Sequence, residues 1–297
     1  MTRTLWPRIM LTGQDGQVGW ELQRTLASLG EVVALDRRQL DLANPVQIRE
    51  RVREIRPDLI VNAAAYTAVD KAEEEPELAM VVNGTAPGIL AEEARRVGAA
   101  IIHYSTDYVF DGKKTSPYTE NDTPSGTPSP LNVYGRSKLA GEQALQAVGV
   151  RHLILRTSWV YGTRGKNFLL TILRLAREGE VLKIVDDQSG APTWSRTIAE
   201  ATNKILASGA WPAYAGGTYH LTASGSTTWY GFAKAILALD PKPSEQVCKR
   251  LIPIPTAEYP TPARRPAYSV LSGDKLKDVY GIVLPDWKQG LTQAVNA

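Results

Sequence analysis

Tyr134 and Lys138 stand four residues apart in "VYGRSKLAGE", at the start of a predicted helix. That spacing puts a phenol and an ammonium on one helix face. A free tyrosine titrates near a pH of about 10, too high to exchange protons readily at neutral pH. A neighbouring ammonium favours the phenolate and lowers that value, which suits proton transfer at a substrate oxygen. Tyr-x-x-x-Lys is by itself a common surface pattern, and two features elsewhere give it weight. Ser105 and Thr106 end the apolar run "AAIIHYST". Ligands of parallel α/β sheets bind beyond the carboxyl ends of the strands, where a hydroxyl can hydrogen-bond a carbonyl oxygen beside the tyrosine.

The second feature is "GQDGQVGW", residues 13–20, directly after the strand-like "RIMLT". Gly13 permits a tight turn, Gly16 lets a pyrophosphate approach the backbone, and Gly19 lets the next helix lie close to the sheet. The helix N-terminus then offers free N–H groups to phosphates. Asp36 ends the next predicted strand, 17 residues after Gly19. A carboxylate there accepts hydrogen bonds from an adenosine ribose and favours NADH. Arg37 and Arg38 follow at once and can instead hold a 2′-phosphate, favouring NADPH. The two signals leave the choice between NADPH and NADH open.

The elements that must position these groups alternate. Strands are predicted at 8–12, 31–36, 58–65, 99–106, 152–158, near 181–185 and at 218–222. Between them lie helical patterns: Val18, Leu22, Leu26 and Leu29, then Ile48, Val52 and Ile55 behind an Asn44 cap, then residues 74–97, interrupted or bent near Gly84 and Pro87. Helices also read from "VYGRSKLAGEQALQAVG", "NFLLTILRLAREG" and "RTIAEATNKILASG". Continuously apolar strands separated by helices signify a parallel sheet covered on both faces. The fold class is therefore α/β, a doubly wound Rossmann-type sheet. Residues 1–158 plus 196–222 form the dinucleotide-binding domain. Residues 159–195 plus 223–297 form a smaller, irregular second domain, loop-rich after 222. The Pro/Ser/Thr/Gly-rich stretch 111–132 reads as a long loop of the lid or substrate-loop kind.

Bulk properties narrow the classes. The chain has 297 residues, 43% hydrophobic and 22% charged, which fits a globular protein with a real core. A formal charge of +3 from 34 basic and 31 acidic residues argues against a nucleic-acid partner. The single cysteine, Cys248, allows no intramolecular disulfide and fits a reduced compartment. No apolar run approaches the roughly 20 residues of a membrane span, and the N-terminal "MTRTLWPRIMLTG" has no signal-peptide core. A cytoplasmic protein without a membrane partner is expected.

At this point the sequence resembles the extended short-chain dehydrogenase/reductase superfamily and, within it, the dTDP-4-dehydrorhamnose reductases. The matching stretches run almost end to end: "GQVGWEL", "RPDLIVNAAAYTAVDKAE", "HYSTDYVFDG", "PLNVYGRSKLAGE", "LRTSWVYG", "DDQSGAPT", "YHLTASGSTTWYGFA" and "YPTPARRPAYSVL". The resemblance implies reduction of the C4 ketone of dTDP-4-dehydro-β-L-rhamnose by NADPH or NADH, the last step of dTDP-L-rhamnose synthesis, which feeds lipopolysaccharide O-antigen. It implies that the second domain binds the nucleotide sugar. It makes Thr106, Tyr134 and Lys138 the catalytic trio, with Tyr134 protonating O4, Lys138 tuning it and holding the nicotinamide ribose, and Thr106 orienting the carbonyl.

The same resemblance places Gln17 and Val18 with the glycines at the pyrophosphate, and Asp41 and Leu42 near the adenine. Ala63, Ala64, Ala65 and Tyr66 line the cofactor, and Trp159 faces nicotinamide and sugar. Asp107, Asn167, Gln188, Pro192 and Thr193 are implied for the nucleotide-sugar pocket. Arg264 and Arg265 are implied as partners of the substrate pyrophosphate, which suits a guanidinium fork. The stretch 124–130 looks longer than the family pattern and is expected to be a surface excursion. Some relatives form dimers bridged by a divalent metal. Glu21 matches one ligand position, but Arg196 stands where another acid is wanted, which argues against a metal and leaves a monomer or weak homodimer. Competing readings are an epimerase or dehydratase of the superfamily, and a non-catalytic cofactor-binding regulatory subunit. Thr106-Asp107-Tyr108, in place of the dehydratases' Thr-Asp-Glu, argues against elimination.

Overall fold

Strands rich in Val, Ile and Leu on both faces fold only where helices cover both, and the structure, a computed structural model, is built that way. It describes residues 6–122, 130–209 and 216–297. Most of the expected excursion at 124–130, and the first five residues of the N-terminal stretch, lie outside the described residues. The first half contains β1 (Arg8–Thr12), α1 (Gln17–Leu26), β2 (Glu31–Leu35), α2 (Pro45–Ile55), β3 (Leu59–Asn62), α3 (Val69–Ala72), α4 (Pro76–Met80), α5 (Ala86–Val97) and β4 (Ala100–Thr106). Then come α6 (Val133–Val148), β5 (His152–Thr157), β6 (Val160–Tyr161), α7 (Phe168–Glu178), β7 (Val181–Val185), β8 (Ser189–Gly190), β9 (Thr193–Trp194) and α8 (Ser195–Ala207). The chain ends with β10 (Gly217–His220), β11 (Thr227–Thr228), α9 (Trp229–Ala238), β12 (Arg250–Ile254), α10 (Asp274–Tyr280) and α11 (Trp287–Val295).

Six strands pair in the order β10-β5-β4-β3-β1-β2, every pairing parallel. Strand order reverses between β1 and β3, which lie on either side of the switch and open the crevice where such sheets bind ligands. One core, around Ile9, Leu11, Leu22, Leu26 and Ile205, lies on the α1 and α8 side. Another, around Met10, Ile48, Val52, Leu90 and Ile101, lies on the α2 and α5 side. Asn44 caps α2 as expected, accepting from the N–H groups of Val46 and Gln47 at 3.1 Å. The expected break in helix 74–97 is a five-residue π-helical stretch, Val81–Thr85, between α4 and α5. There Gly141 of α6 packs so close that a Cβ would lie 2.0 Å from the Asn83 carbonyl oxygen.

The second half is more regular than its loops suggest. Helices α9 and α11 pack with α7 in a third core around Tyr161, Phe232 and Trp287, and β12 pairs in parallel with β7. The prolines of "IPIPTAEYPTPARRP", Pro253 and Pro255 among them, make that stretch read as loop. An edge strand tolerates proline, which has no N–H to donate, where the ring nitrogen faces away from the ladder. Segment 196–222 joins the large sheet, β10 pairing with β5. Among the described residues no helix is long and apolar enough to cross a membrane.

Candidate active site

The β1–α1 turn is built from the three glycines, each for a different contact. Gly13 has φ +72°, and a Cβ there would lie 2.7 Å from the Ala64 nitrogen. At Gly19 a Cβ would lie 2.0 Å from the Gly13 carbonyl oxygen, so glycine alone lets α1 sit this close. Gly16 is the N-cap residue, with ordinary extended angles and no side-chain cap on the helix. The first amides of α1 are thus left for a ligand. This turn opens into a cleft of about 740 Å³.

The cleft gathers groups that the sequence scatters over more than 120 residues. At one end are Gly13, Gly16, Gln17 and Val18, then Asp36, Arg37, Asp41 and Leu42 beyond β2. Ala63, Ala64, Ala65 and Tyr66 form a side, and Thr106, Asp107, Tyr134, Lys138 and Trp159 the far end. Asp36 accepts from the N–H groups of Arg38 and Gln39, both at 2.8 Å, which folds the turn after β2. Arg37 is exposed, 3.9 Å from Asp41.

Helix α6 fixes the reacting face. Asn132 caps it, accepting from the Gly135 N–H at 2.8 Å. A Cβ at Gly135 would lie 2.2 Å from the Tyr108 carbonyl oxygen, which locks the helix start to the end of β4. Asn83 ties the opposite wall to the same helix: it accepts from Tyr66 N–H at 2.8 Å and donates to the Ser137 hydroxyl at 3.0 Å.

Tyr134 is hydrogen-bonded to Thr106. The Thr106 hydroxyl donates in turn to Asp107 at 3.0 Å and accepts from the Tyr108 N–H at 3.2 Å. Burial pushes the Tyr134 phenol up to about 12, against the Thr106 hydrogen bond that lowers it. The lowering expected from Lys138 does not figure among these influences; burial and the Asp107 charge raise the phenol, and Tyr134 is a protonated donor at neutral pH. Burial brings Lys138 down to about 8, with Glu142 pulling the other way. Burial raises the Asp107 carboxyl to about 6, with Ser269 and Thr106 lowering it by hydrogen bonds.

Trp159 holds φ +46°, unusual for a residue with a side chain. Its ring stacks on Trp229 at 3.5 Å and 2°, and Gly190 backs it so closely that a Cβ would lie 2.3 Å from the indole. Trp229, Tyr108, Lys166 and Thr157 also line the cleft. Sequence reasoning did not single them out, because none sits in a spacing with chemical meaning. Only the position of Tyr108 beside Thr106-Asp107 pointed to it as a neighbour of the site.

The remaining expected residues lie outside the lining. Gly19 is buried in the α1 contact. Asn167 caps α7 and donates to Gln17 at 2.9 Å. Gln188 spans from the Trp229 indole N–H, at 3.2 Å, to Thr256 at 3.0 Å. Pro192 and Thr193 are buried, and the Thr193 hydroxyl donates to Ala191 and accepts from Ala223. Arg265 is clamped by Asp70 at 2.7 and 3.1 Å. Arg264 is exposed, and its carbonyl receives the Asn132 amide at 2.8 Å. Glu21 is engaged by Arg196 at 3.3 Å.

A reduced dinucleotide fits this cleft on structural grounds: the glycine cradle, the uncapped helix N-terminus and the acid–base pair share one cavity. A family described as the RmlD substrate binding domain matches residues 7–297. A dTDP-4-dehydrorhamnose reductase of Burkholderia thailandensis is 52% identical over 296 residues, covering 97% of this chain and 98% of that protein. One from Escherichia coli K12 is 48% identical, with 97% of each chain covered. A crystal structure of dTDP-4-dehydrorhamnose reductase from Bacillus anthracis in complex with NADP superposes with a TM-score of 0.88 at 36% identity, covering 97% of this chain and 98% of that one.

Proposed function

This chain belongs to the RmlD substrate binding domain family, and we propose that it reduces the C4 ketone of dTDP-4-dehydro-β-L-rhamnose with NADPH or NADH. The observation that carries the reading is the meeting of Thr106, Tyr134 and Lys138 in the cleft that the β1–α1 glycine turn opens. Bound there, the reduced nicotinamide supplies the hydride. Gly13, Gly16, Gln17 and Val18 seat the pyrophosphate, with the first-turn amides of α1 as donors. Asp36, Arg37, Asp41 and Leu42 surround the adenosine, and Ala63–Ala65 with Tyr66 flank the cofactor's middle.

Tyr134, protonated at neutral pH, gives its proton to O4 as charge develops there. Thr106, its hydroxyl proton turned from Asp107 to the substrate, donates to the same oxygen and holds the carbonyl plane. The phenolate left behind is stabilised by the Lys138 ammonium. Trp159, braced by Trp229, forms an aromatic wall for the sugar. Asp107 backs Thr106. Asn167, Gln188, Pro192, Thr193 and Arg265 hold the walls of the nucleotide-sugar side, and Arg264 is the arginine free to reach a diphosphate. The second domain, 159–195 plus 223–297, serves the nucleotide sugar, and 1–158 plus 196–222 the dinucleotide.

Tyr108 packs edge-on against Tyr134 at 5.6 Å, where an eliminating enzyme needs a second carboxylate, which disfavours a dehydratase. The engagement of Glu21 by Arg196 supports a monomer or weak homodimer without a bridging metal; the single cysteine fits a reduced compartment such as the cytoplasm. The test combines the protein with enzymatically made dTDP-4-dehydrorhamnose and either reduced cofactor. One cofactor is consumed per sugar reduced. Sugar conversion with no net cofactor consumption overturns the proposal in favour of an epimerase or dehydratase.

A further inference from the structure

Behind Lys138, on the side away from the cleft, runs a line of buried polar groups that the reaction as described does not use. Lys138 Nζ donates to the Tyr104 carbonyl at 2.7 Å and lies 3.2 Å from His103 Nε2. His103 Nδ1 is 3.0 Å from Asn62 Nδ2. The Thr12 hydroxyl donates to Asn62 Oδ1 at 2.7 Å, and Ala64 N–H donates to that hydroxyl at 3.3 Å. Thr12, Asn62 and His103 are each 1% exposed. They come from the ends of β1 and β3 and from β4, adjacent strands of the sheet, so the line crosses the sheet beneath the cofactor cleft.

The line has a direction. In the arrangement the structure shows, Ala64 N–H donates to the Thr12 oxygen and the Thr12 proton goes to Asn62 Oδ1. Asn62 then presents its NH₂ to His103 Nδ1. The imidazole proton is left on Nε2, facing Nζ, which receives it only as a neutral amine. An ammonium at Lys138 requires the opposite polarity: Nε2 bare, the imidazole proton on Nδ1, and the Asn62 amide turned to offer its oxygen. The two arrangements differ by one proton, counted on Nζ.

We propose that Thr12, Asn62 and His103 form a hydrogen-bond wire whose polarity is coupled to the charge of Lys138, with His103 as a positioning residue for the Tyr134–Lys138 pair. Its consequence for the reaction rests on the reductase reading above. Burial keeps His103 neutral, helped by the adjacent Lys138, and Lys138 at about 8 has both charge states within reach of neutral pH. The other titratable groups near Lys138 are Tyr134 and Glu142 on α6, Glu142 being locked to Arg156 of β5 at 2.6 Å, and Asp107 after β4.

The test measures Lys138 directly, by its titration in the full chain with ¹³Cε-labelled lysine, its resonance assigned by Lys138→Arg. A bond from an ammonium to a neutral acceptor is stronger than one between neutral partners. His103→Leu therefore lowers the Lys138 midpoint from about 8 by about one pH unit, which roughly halves the ammonium fraction at pH 7 and lowers the turnover there by about twofold. His103→Gln keeps an acceptor for Nζ and restores most of both. A midpoint unmoved in both folded variants overturns the wire, as does equal impairment of Leu and Gln. The titration needs no substrate: a shifted midpoint supports the wire even where the wild-type protein leaves the keto sugar untouched, a result that overturns only the reductase reading.

Discussion

Gly16 and Gly19 sit three residues apart in one turn, yet the structure gives them opposite roles that alanine substitution separates. At Gly19 an added Cβ lies 2.0 Å from a backbone oxygen, where real contacts stay beyond 3.0 Å. Helix α1 must therefore retreat by about 1 Å, dragging Leu22 and Leu26, both fully buried. Overpacking of this kind costs about 1–3 kcal/mol, and about 1 kcal/mol returns from alanine's helix preference. Gly19→Ala should lower the melting temperature by a few degrees. At Gly16 the angles, φ −72° and ψ 162°, suit any residue, and the nearest atom to a Cβ is at 3.2 Å. Gly16→Ala should leave the melting temperature nearly unchanged. A methyl there occupies the approach of the pyrophosphate, so the dinucleotide Kd should rise at least tenfold, about 1.4 kcal/mol. Calorimetry and fluorescence titration with NADPH measure the two effects on the same samples. Wild-type affinity in folded Gly16→Ala refutes the placement of the pyrophosphate at this turn.

Other substitutions probe the far end of the cleft. Tyr134→Phe removes the proton donor and should lower kcat by about 10²–10⁴-fold while NADPH still binds, as steady-state kinetics and titration show. Asp107 carries a carboxyl raised from 3.8 to about 6 by burial, so its charged form is disfavoured in the fold by about 3 kcal/mol. A raised value means the stability is present below about 4 and is lost as pH rises through about 6. Asp107→Asn should flatten that part of the pH dependence, read from urea midpoints at acid and neutral pH. Glu142→Gln leaves Arg156 buried without its partner carboxylate, at 2.6 and 2.9 Å in the native pair. It should cost about 3–5 kcal/mol in chemical denaturation.

Much of this architecture was legible because its signals are local. Apolar runs such as "DLIVNAAA" and the cap-and-proline start of α2 announce their elements directly. The glycine turn and the Tyr134–Lys138 spacing carry geometric meaning on their own. Two-residue strands such as β8 and β9 leave no periodic trace, and β12 hides behind its prolines. The cofactor side of the cleft is formed by strand ends and their following turns, so its residues could be found in sequence. The side proposed for the sugar is made by distant contacts: Trp229 meets Trp159 across 70 residues. Polar residues there divide between lining and bracing by packing alone, which is why Asn167 and Thr193 turn inward while Lys166 faces the cleft.

Hydride delivery beside the protonated Tyr134 is tested most directly with cofactor deuterated at the transferring position of nicotinamide C4, followed by nuclear magnetic resonance of the sugar product. The account predicts one deuteron at sugar C4 for each cofactor oxidised. Product carrying only protium at C4, or deuterium that never leaves the cofactor, contradicts it.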